Sequence, residues 1–320
     1  MNAVAARPSL HVAAGVVVNH QGEVLIAKRP EHLHQGGLWE FPGGKVESGE
    51  SVGQALIREL QEELAITVRS AEPLITIFHG YTDRDVILEV LRVDWFEGSP
   101  VGMEGQPLRW VRPDDLWQYR FPAANRAIVT AARLPERYGF VDIAGADAAS
   151  AMPRLQVFAD AGISLIRLRA KMLSDIAYQQ LAEQVMGYCA TRKIKVLLSC
   201  DPSLAVSLGA EGVHLDAAQM MQLSHRPIVL RDKFLAVSCH SAQELQRAES
   251  IGADFAVLSP VMATESHPEA SPLGWQAFAE MVSRISLPVY ALGGMCPEHV
   301  QVAKCHGGQG IAGIRRLAAP

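Results

Sequence analysis

The sequence has few cysteines and no long apolar segment, and both deficits narrow the class of protein. Its 320 residues include five cysteines, all in the second half and none in a CxxC pair. This usage argues against a disulfide framework and is typical of a reducing compartment. The apolar run near the start ends at Asn19 and is too short to span a bilayer, and no cleavage-site pattern follows it. These features predict a cytoplasmic protein.

A strong charge of either sign is also missing. The formal net charge is −5, with 20% charged and 49% hydrophobic residues. Such a mild acidity gives no general attraction to nucleic acid backbones or to anionic lipid. We therefore expect no nucleic acid polymer and no membrane as partner, and a polyanionic ligand has to be held by local cations or by a metal ion.

The first part of the chain, residues 10–135, combines strand-like runs with two helical candidates. "LHVAAGVVVN" and "EVLIAKR" flank the turn signal "HQG" as a hairpin would, and "LITIFHGY" and "VILEVLRVDWF" bracket a second turn. Helices are predicted over Ser51–Leu64 and Ala123–Leu134. This order indicates an α+β domain rather than a regular alternation of strands and helices.

The pattern changes from Tyr138 onward, where short apolar runs alternate with segments able to form helices. The eight runs are "FVDIAG", "SLIRLRA", "KVLLSC", "GVHLD", "LAVSCH", "FAVLSP", "PVYALGG" and "GQGIAGI". Eight β/α units predict an α/β domain of the closed TIM-type (β/α)8 barrel class. An open doubly wound sheet is the competing interpretation. We place the domains at residues 1–135 and 136–320, because Pro135 ends the preceding helix.

Three glutamates, Glu59, Glu62 and Glu63, share one face of the first predicted helix. Like charges at this spacing cost roughly a few tenths of a kcal/mol, and a hard divalent cation would remove that cost. A solvated acidic face is the alternative, because charged residues commonly face water on a helix surface. The residues around the helix decide between the two.

Gly43 and Gly44 precede the helix, Glu50 lies in the intervening loop, and the helix contains "RELQEEL". This spacing resembles the Nudix box, with Ala65 where that family usually has glycine. The resemblance implies a Nudix fold with a mixed sheet and flanking helices, and a divalent metal, Mg²⁺ or Mn²⁺. The metal ligands that it implies are Glu59, Glu62, Glu63, Glu104 and Gly44. It also implies that Arg58 braces the loop through Glu50, and it leaves the general base open between Glu59 and Glu104.

The motifs "LWEFPGGK", "GYTDRDV", "GMEGQPLRWV" and "YRFPAANRAI" look like the MutT branch of that family, which hydrolyses oxidised guanine nucleotides. The implied reaction converts 8-oxo-dGTP to 8-oxo-dGMP and pyrophosphate, and so limits DNA damage. The residues that the resemblance places around the nucleotide are Arg29, His34, Phe41, Gly43, Gly44, Asp83, Arg84 and Asn125. Taken singly, Phe41 also fits a core position, Asn125 a helix cap and Arg84 a solvated turn.

In a parallel barrel, functional groups lie at the C-terminal ends of the strands. The candidates at those ends are Arg169, Lys171, Asp201, His240, Gly293 and Gly294. Cations and glycines suit a phosphate-bearing ligand, although the same residues also serve to satisfy loop backbones.

"RLRAK", "GAEGVHL", "VSCHSAQEL", "GADFAVLSP" and "PVYALGGM" look like the thiamine-phosphate synthase/TenI family. Gln219 and His267 stand where that family's synthases have an acid and a lysine, which puts synthase activity in doubt. The TenI branch, the thiazole tautomerases, is closer, with His240 as an acid/base and a thiazole phosphate or similar molecule as ligand. A domain without catalysis is the alternative.

Two other functions compete with the nucleotide hydrolase. The chain could be a thiamine-pathway enzyme whose first domain cleaves a thiamine-related diphosphate, or both halves could be binding modules that sense a nucleotide or a thiazole phosphate. Asn125 and the motif "FPAAN" favour the purine nucleotide, and the complete glutamate set favours hydrolysis.

Overall fold

The chain folds as two units of different architecture, Met1–Arg133 and Leu134–Pro320. The structure is a computed structural model, and it describes residues 9–32, 35–80, 85–143, 145, 148–264 and 269–318. Each unit is described by itself.

Two sheets and two α-helices form the described part of the first unit. Its elements are β1 (Ser9–Val17), β2 (Val24–Lys28), β3 (Trp39–Glu40), β4 (Gly43–Lys45), α1 (Val52–Leu64), β5 (Thr67–Gly80), β6 (Asp85–Glu97), β7 (Leu108–Val111) and α2 (Arg126–Arg133), with 3-10 turns at Pro113–Gln118 and Ala123–Asn125. One sheet has the order β4-β1-β6-β5 and the other β3-β2-β7. Because β1 and β6 pair in parallel and the other pairs are antiparallel, the predicted α+β fold with a mixed sheet is confirmed.

The first predicted hairpin is wrong in its pairing, whereas the second is correct. β1 and β2 enter different sheets, and a single antiparallel bridge, Val18↔Val24, links the ends of their runs. The turn is present, since Gly22 donates its N–H to the carbonyl of Asn19 at 2.9 Å. β5 and β6 pair antiparallel over their full length.

Helix α1 begins where the sequence predicts and is fixed at both ends. The Ser51 side chain accepts from the N–H of Gln54, and the Gln54 side chain accepts from the N–H of Ser51, which is a capping box. The helix ends at Ala65, whose φ of 55° is the left-handed conformation that favours glycine. Ala65 therefore adopts the family's glycine conformation despite its Cβ.

The apolar side of α1 packs on the sheet that contains β1. Leu56, Leu60 and Leu64 are fully buried in one cluster with Ala13 and Val17. Burial of each leucine contributes about 1.5–3 kcal/mol. This packing fixes the rotation of the helix about its axis and turns Glu59 and Glu63 toward β4.

All eight predicted runs of the second unit are strands of one closed parallel barrel. They are β8 (Arg137–Asp142), β9 (Leu165–Arg169), β10 (Lys195–Leu198), β11 (Gly212–Leu215), β12 (Phe234–Cys239), β13 (Phe255–Leu258), β14 (Val289–Ala291) and β15 (Gly310–Gly313). The closing pair is β15 with β8. The barrel prediction is confirmed, and the open doubly wound sheet is excluded.

In the described part of the second unit, seven helices follow the first seven strands on the outside of the barrel. They are α3 (Ala151–Asp160), α4 (Asp175–Ala190), α5 (Pro202–Ser207), α6 (Ala217–Gln222), α7 (Ala242–Ser250), α8 (Gly274–Val282) and α9 (His299–Cys305), with 3-10 turns at Ala148–Ser150 and Ile228–Leu230. Several are short, as the modest length of this unit requires. Aromatic side chains fill the interior, among them Tyr138, Phe255 and Tyr290 in edge or tilted contacts. The interior of the barrel is therefore filled with side chains, and the barrel opens to a cavity at the carboxyl ends of its strands.

Among the described residues, no helix is both long enough and apolar enough to cross a membrane.

Candidate functional site

A cavity of about 450 Å³ opens in the first unit between β1, β6 and the residues around β4. Its apolar wall includes Leu10, Val86 and Leu88, and Phe41 and Asn125 also line it. Gly43 and Gly44 form part of its edge. The cavity thus joins an apolar compartment with one buried amide to a glycine edge that adjoins helix α1.

The two glycines allow glutamates of α1 to lie directly against the backbone of β4. A Cβ on Gly44 would lie 2.2 Å from Cδ of Glu59, so any side chain there would displace that carboxylate. The N–H of Gly43 donates to Oε2 of Glu63 at 3.3 Å. At φ 145°, a Cβ on Gly43 would also lie 2.2 Å from the carbonyl oxygen of Ala13. Glycine is required at both positions for this contact between helix and strand.

Arg58 contacts three carboxylates, not only the predicted one. Its Nε and Nη2 donate to the two oxygens of Glu50 at 3.0 and 2.9 Å, and Nη2 also donates to the carbonyl of Lys45 at 3.0 Å. Its Nη1 donates to Glu59 at 2.8 Å and to Glu62 at 3.4 Å. Hydrogen bonds to Glu50 and Glu59 raise the pKa of Arg58. The guanidinium therefore holds the loop and also orients the Glu59 carboxylate.

The carboxyl group of Glu63 has a raised pKa. Burial raises its pKa to about 7, the hydrogen bond from Gly43 opposes that rise, and the charges of Glu59, Glu40 and Glu104 add to it. The loop that bears Glu104 is fixed at the end of α1, because Met103 donates its N–H to the carbonyl of Glu63 at 3.0 Å. The charges of three other carboxylates therefore act on Glu63, which accepts the hydrogen bond of Gly43.

These carboxylates are hard oxygen donors, which suits a divalent cation. The raised pKa of Glu63, caused first by burial and then by the neighbouring carboxylates, means that a negative charge is unfavourable at this position, and a bound cation would compensate it. Among the described residues, however, no group of three or more His, Cys, Asp or Glu side chains is arranged closely enough to hold a metal ion. The chemistry of the donor set fits a metal, and the ligand assignment stays a prediction.

We expect Glu63→Gln to stabilise the protein against unfolding in EDTA at pH 8. The folded-state pKa of about 7 lies above the ordinary 4.5, so the folded form keeps a proton that the unfolded chain releases, and stability falls as pH rises from about 4.5 to 7. The neutral amide removes that cost, which is about 1–3 kcal/mol at pH 8 and near zero at pH 4. Urea unfolding at the two pH values measures the difference.

Glu47→Gln is the matched control, since Glu47 is exposed in the loop before α1, and the same small effect is expected at both pH values. A Glu63→Gln protein less stable than the wild type at pH 8 would contradict the assignment of an unfavourable buried charge.

The structure brings together some of the residues predicted around the nucleotide. Arg29, Phe41 and Asn125 line the same cavity. Phe41 is buried and stacks on Phe121 with ring centroids 5.3 Å apart, so it also serves the core. Asn125 is 8% exposed, and its amide forms no hydrogen bond with the rest of the described chain. Arg29 pairs with Glu40. The predicted residues His34, Asp83 and Arg84 lie outside the described residues.

Sequence reasoning missed Glu40, Lys45 and Gln35, which line this cavity as well. Burial raises the pKa of Glu40, its pairing with Arg29 lowers it, and the charge of Glu104 raises it. The sequence signal that could have identified Glu40 is its position in the motif "WEFPGG", where it directly precedes Phe41 and the glycine edge.

The second unit has a larger cavity, of about 1140 Å³, at the carboxyl ends of the barrel strands. Four of the predicted residues line it, namely Arg169, Lys171, His240 and Gly293. Gly293 and Gly294 both line an adjoining cavity of about 200 Å³, with φ values of 103° and 68°. The ring Nδ1 of His240 lies 2.9 Å from the carbonyl oxygen of Ser259, which fixes the orientation of the imidazole.

Two acids that follow barrel strands cap helices, and of these two Asp216 lines this cavity whereas Asp201 does not. The exposed Asp201 accepts from the N–H groups of Ser203 and Leu204 at 2.8 and 3.3 Å, at the start of α5. Asp216 accepts from the N–H of Gln219 at 3.0 Å in a capping box, and it pairs with Lys171 at 2.9 Å. Gln219 thus has a structural role at the position where the synthases have an acid, and His267 lies outside the described residues.

A buried chain of hydrogen bonds leads from the barrel interior to this cavity. The Tyr138 hydroxyl lies 2.9 Å from Nδ1 of His214, and Nε2 of His214 lies 2.8 Å from Oγ of Ser238, which lines the cavity. Burial first, then the charges of Arg167 and Arg169, hold the pKa of His214 well below its usual range. The neutral imidazole therefore sets whether Ser238 donates or accepts toward the cavity, and it is a poor proton acceptor.

Comparison with known proteins finds two matches that divide the chain. Residues 13–131 match the model of the NUDIX domain, and residues 140–317 match the model described as thiamine monophosphate synthase. The second match covers more than half of the chain.

Curated relatives follow the same division. The 8-oxo-dGTP diphosphatase of Escherichia coli (strain K12) is 38% identical over 120 residues, which are 38% of this chain and 93% of that protein. The CTP pyrophosphohydrolase of the same organism is 37% identical over 115 residues, 36% of this chain and 85% of that protein. The putative thiamine-phosphate synthase 2 of Aquifex aeolicus (strain VF5) is 37% identical over 159 residues, 48% of this chain and 82% of that protein.

Proposed function

We propose, because this chain belongs to the Nudix family through residues 13–131 and to the thiamine monophosphate synthase family through residues 140–317, that its first domain is an 8-oxo-dGTP diphosphatase. The supporting observation is the single cavity in which Phe41 and Asn125 adjoin the glycine edge of Gly43 and Gly44. A purine fits the apolar side, and the phosphates would reach the carboxylates of α1. We place this activity in the cytoplasm, where the nucleotide pool is found.

The proposed reaction is attack of water on the β-phosphorus of 8-oxo-dGTP, which releases 8-oxo-dGMP and pyrophosphate. Nudix hydrolases generally use a divalent metal; we propose Mg²⁺, held by Glu59, Glu62, Glu63, Glu104 and the backbone of Gly44. Bound there, it would neutralise phosphate charge and favour ionisation of the attacking water.

The chain's own residues orient the reactants. Arg58 keeps the Glu59 carboxylate against Gly44 through its 2.8 Å hydrogen bond, and the apolar wall with Phe41 excludes water from the base. The amide of Asn125 can donate and accept toward an oxidised purine edge. Glu59 and Glu104 are the two candidates for the carboxylate that takes the proton of the attacking water.

The test is a substrate panel on the full-length protein with Mg²⁺: 8-oxo-dGTP, dGTP, CTP and thiamine diphosphate. We expect the highest kcat/KM for 8-oxo-dGTP, and in H₂¹⁸O the label appears in pyrophosphate and not in 8-oxo-dGMP. Equal turnover of dGTP and 8-oxo-dGTP would overturn the assignment. Preferred turnover of CTP or of thiamine diphosphate would replace it with a pyrimidine nucleotide hydrolase or a thiamine-pathway enzyme.

For the barrel we propose binding of a small anion, such as a thiazole phosphate. Five cationic side chains line its cavity against three acidic ones, the cations being Arg154, Arg167, Arg169, Lys171 and Arg315 and the acids Asp142, Asp216 and Glu269. The excess of positive charge supports a phosphate-bearing ligand. His240 is the proposed acid/base if this ligand is converted.

A further inference from the structure

The loop before β3 contains an unusual backbone conformation at the edge of the nucleotide cavity. Gln35 has a φ of +60°, in the left-handed region that residues with a Cβ rarely adopt. Among the described non-glycine residues, Ala65 and Lys193 also have positive φ. Those two follow the ends of α1 and α4, where left-handed residues are common. Among the helices that the structure describes, none ends near Gln35, and Gln35 lines the cavity.

The surrounding loop enforces this conformation. A Cβ on Gly36 would lie 2.4 Å from the carbonyl oxygen of Glu31, so the chain passes very close to itself there. The backbone carbonyl of Arg29 accepts from the N–H of Gly37 at 3.0 Å, and the backbone N–H of Arg29 donates to the carbonyl of Leu38 at 2.9 Å. These contacts close the loop and leave the backbone at position 35 little freedom.

Glycine would adopt the same conformation at less cost, so a glutamine at this position indicates a use for its side chain. The Gln35 side chain is half-buried, and its amide forms no hydrogen bond with another residue in the part of the chain that the structure describes. A half-buried amide that lines a cavity without a protein partner is available to a ligand.

The groups already assigned to the two ends of the cavity leave one part of the proposed nucleotide for Gln35. Asn125 belongs to the base end, whereas Glu63 and the glycine edge belong to the phosphate end. The loop of Gln35 closes on Arg29, which pairs with Glu40 on the strand that leads to that glycine edge. Gln35 lines the same cavity as Asn125 and the two glycines, and the sugar, which joins base and phosphates, is the part of the proposed nucleotide to which neither of these two ends is assigned.

We infer that Gln35 is a specificity-determining residue that hydrogen-bonds the 3′-hydroxyl of the nucleotide sugar. A carboxamide matches a hydroxyl because each group can both donate and accept. The inference rests on the proposed nucleotide hydrolysis and adds to it a contact that neither Asn125 nor the carboxylates make.

The test is a double-mutant cycle on the full-length protein, in which the Gln35 side chain is removed from the enzyme and the 3′-hydroxyl from the substrate, separately and together. We measure kcat/KM for 8-oxo-dGTP and for its 2′,3′-dideoxy analogue with the wild type, Gln35→Gly and Asn125→Ala. In the wild type, loss of the hydroxyl should lower kcat/KM about 2- to 10-fold. Gln35→Gly should lower kcat/KM for 8-oxo-dGTP by a similar factor and show no further loss with the analogue. Asn125→Ala should reduce turnover of both substrates and keep the hydroxyl effect.

Gln35→Gly relieves the backbone, so its melting temperature should equal or exceed that of the wild type, which separates a lost contact from a damaged fold. A Gln35→Gly protein that keeps the full hydroxyl effect, or a wild type that shows none, overturns the inference while the hydrolase assignment stands. A wild type that does not prefer 8-oxo-dGTP over dGTP instead overturns the proposed function.

Discussion

Glu59→Gln is expected to lower kcat for 8-oxo-dGTP by about 10² to 10⁴-fold, the range for loss of an acid–base group. The amide has nearly the shape of the carboxylate, so it still fits the space left by Gly44, where a Cβ would lie 2.2 Å from Cδ of Glu59. It lacks the negative charge, however, and it accepts no proton. A loss in kcat with stability retained would therefore assign the effect to chemistry. Steady-state kinetics with Mg²⁺ and thermal unfolding of the same preparation measure both.

Glu47→Gln is the matched control, because it changes the same functional group at an exposed position just before the helix. It should keep wild-type kcat. Full activity of Glu59→Gln would remove the basis for both the metal site and the proposed hydrolysis. A large loss in both variants would point instead to a general effect of acidic charge on the loop.

The three glutamates of α1 are equivalent in the sequence and different in the structure. Helical spacing correctly places them on one face, since the period is a property of the backbone alone. Glu59 has a side chain 15% exposed and held by Arg58, Glu62 is 62% exposed, and Glu63 is half-buried against Gly43. These differences depend on how close β4 lies to the helix. The helical period of the sequence gives no information on that distance.

The strands of the barrel were predictable because each is a buried apolar run, and parallel strands buried on both faces lack polar interruptions. The roles of the polar residues after them were not predictable in the same way. Asp201 and Asp216 follow strands, as a ligand-binding acid would, yet both cap the next helix. An acid before a helix has the same sequence signature in either role. Only the hydrogen bonds of the folded chain separate them.

Asp142 is the clearest example of a residue whose role could not be predicted from the sequence. It ends β8, and its carboxylate accepts two hydrogen bonds from Nη2 of Arg167, both at 2.8 Å, and one from Arg169. Arg167 and Arg169 lie on the neighbouring strand β9, about 25 residues further along the chain. The contact follows from the parallel pairing of β8 with β9, and this register is not visible before the barrel is closed.

Asp142→Ala is expected to destabilise the barrel by about 3–5 kcal/mol, the cost of removing one partner from a buried ion pair. The Arg167 side chain is 5% exposed, its guanidinium lies 3.7 Å above the ring of Phe140, and its buried Nε has no hydrogen-bond partner among the described residues. Without Asp142 the guanidinium would retain its charge in that environment. Hydrogen exchange of the amides of β8 and β9 in the full-length protein measures the loss, because exchange of core strands reports the free energy of opening.

The double variant Asp142→Leu with Arg167→Met separates a buried charge from a lost contact. Replacing both partners by apolar side chains leaves no uncompensated ion, and such replacements of buried pairs are often neutral or stabilising. Exchange of β8 and β9 in the double variant should therefore be much closer to that of the wild type than in Asp142→Ala. Arg169, whose side chain is 34% exposed, can turn its charge to water in either protein. Equal destabilisation of the single and double variants would mean that Asp142 supports the barrel through packing at the end of β8, and not by neutralising Arg167.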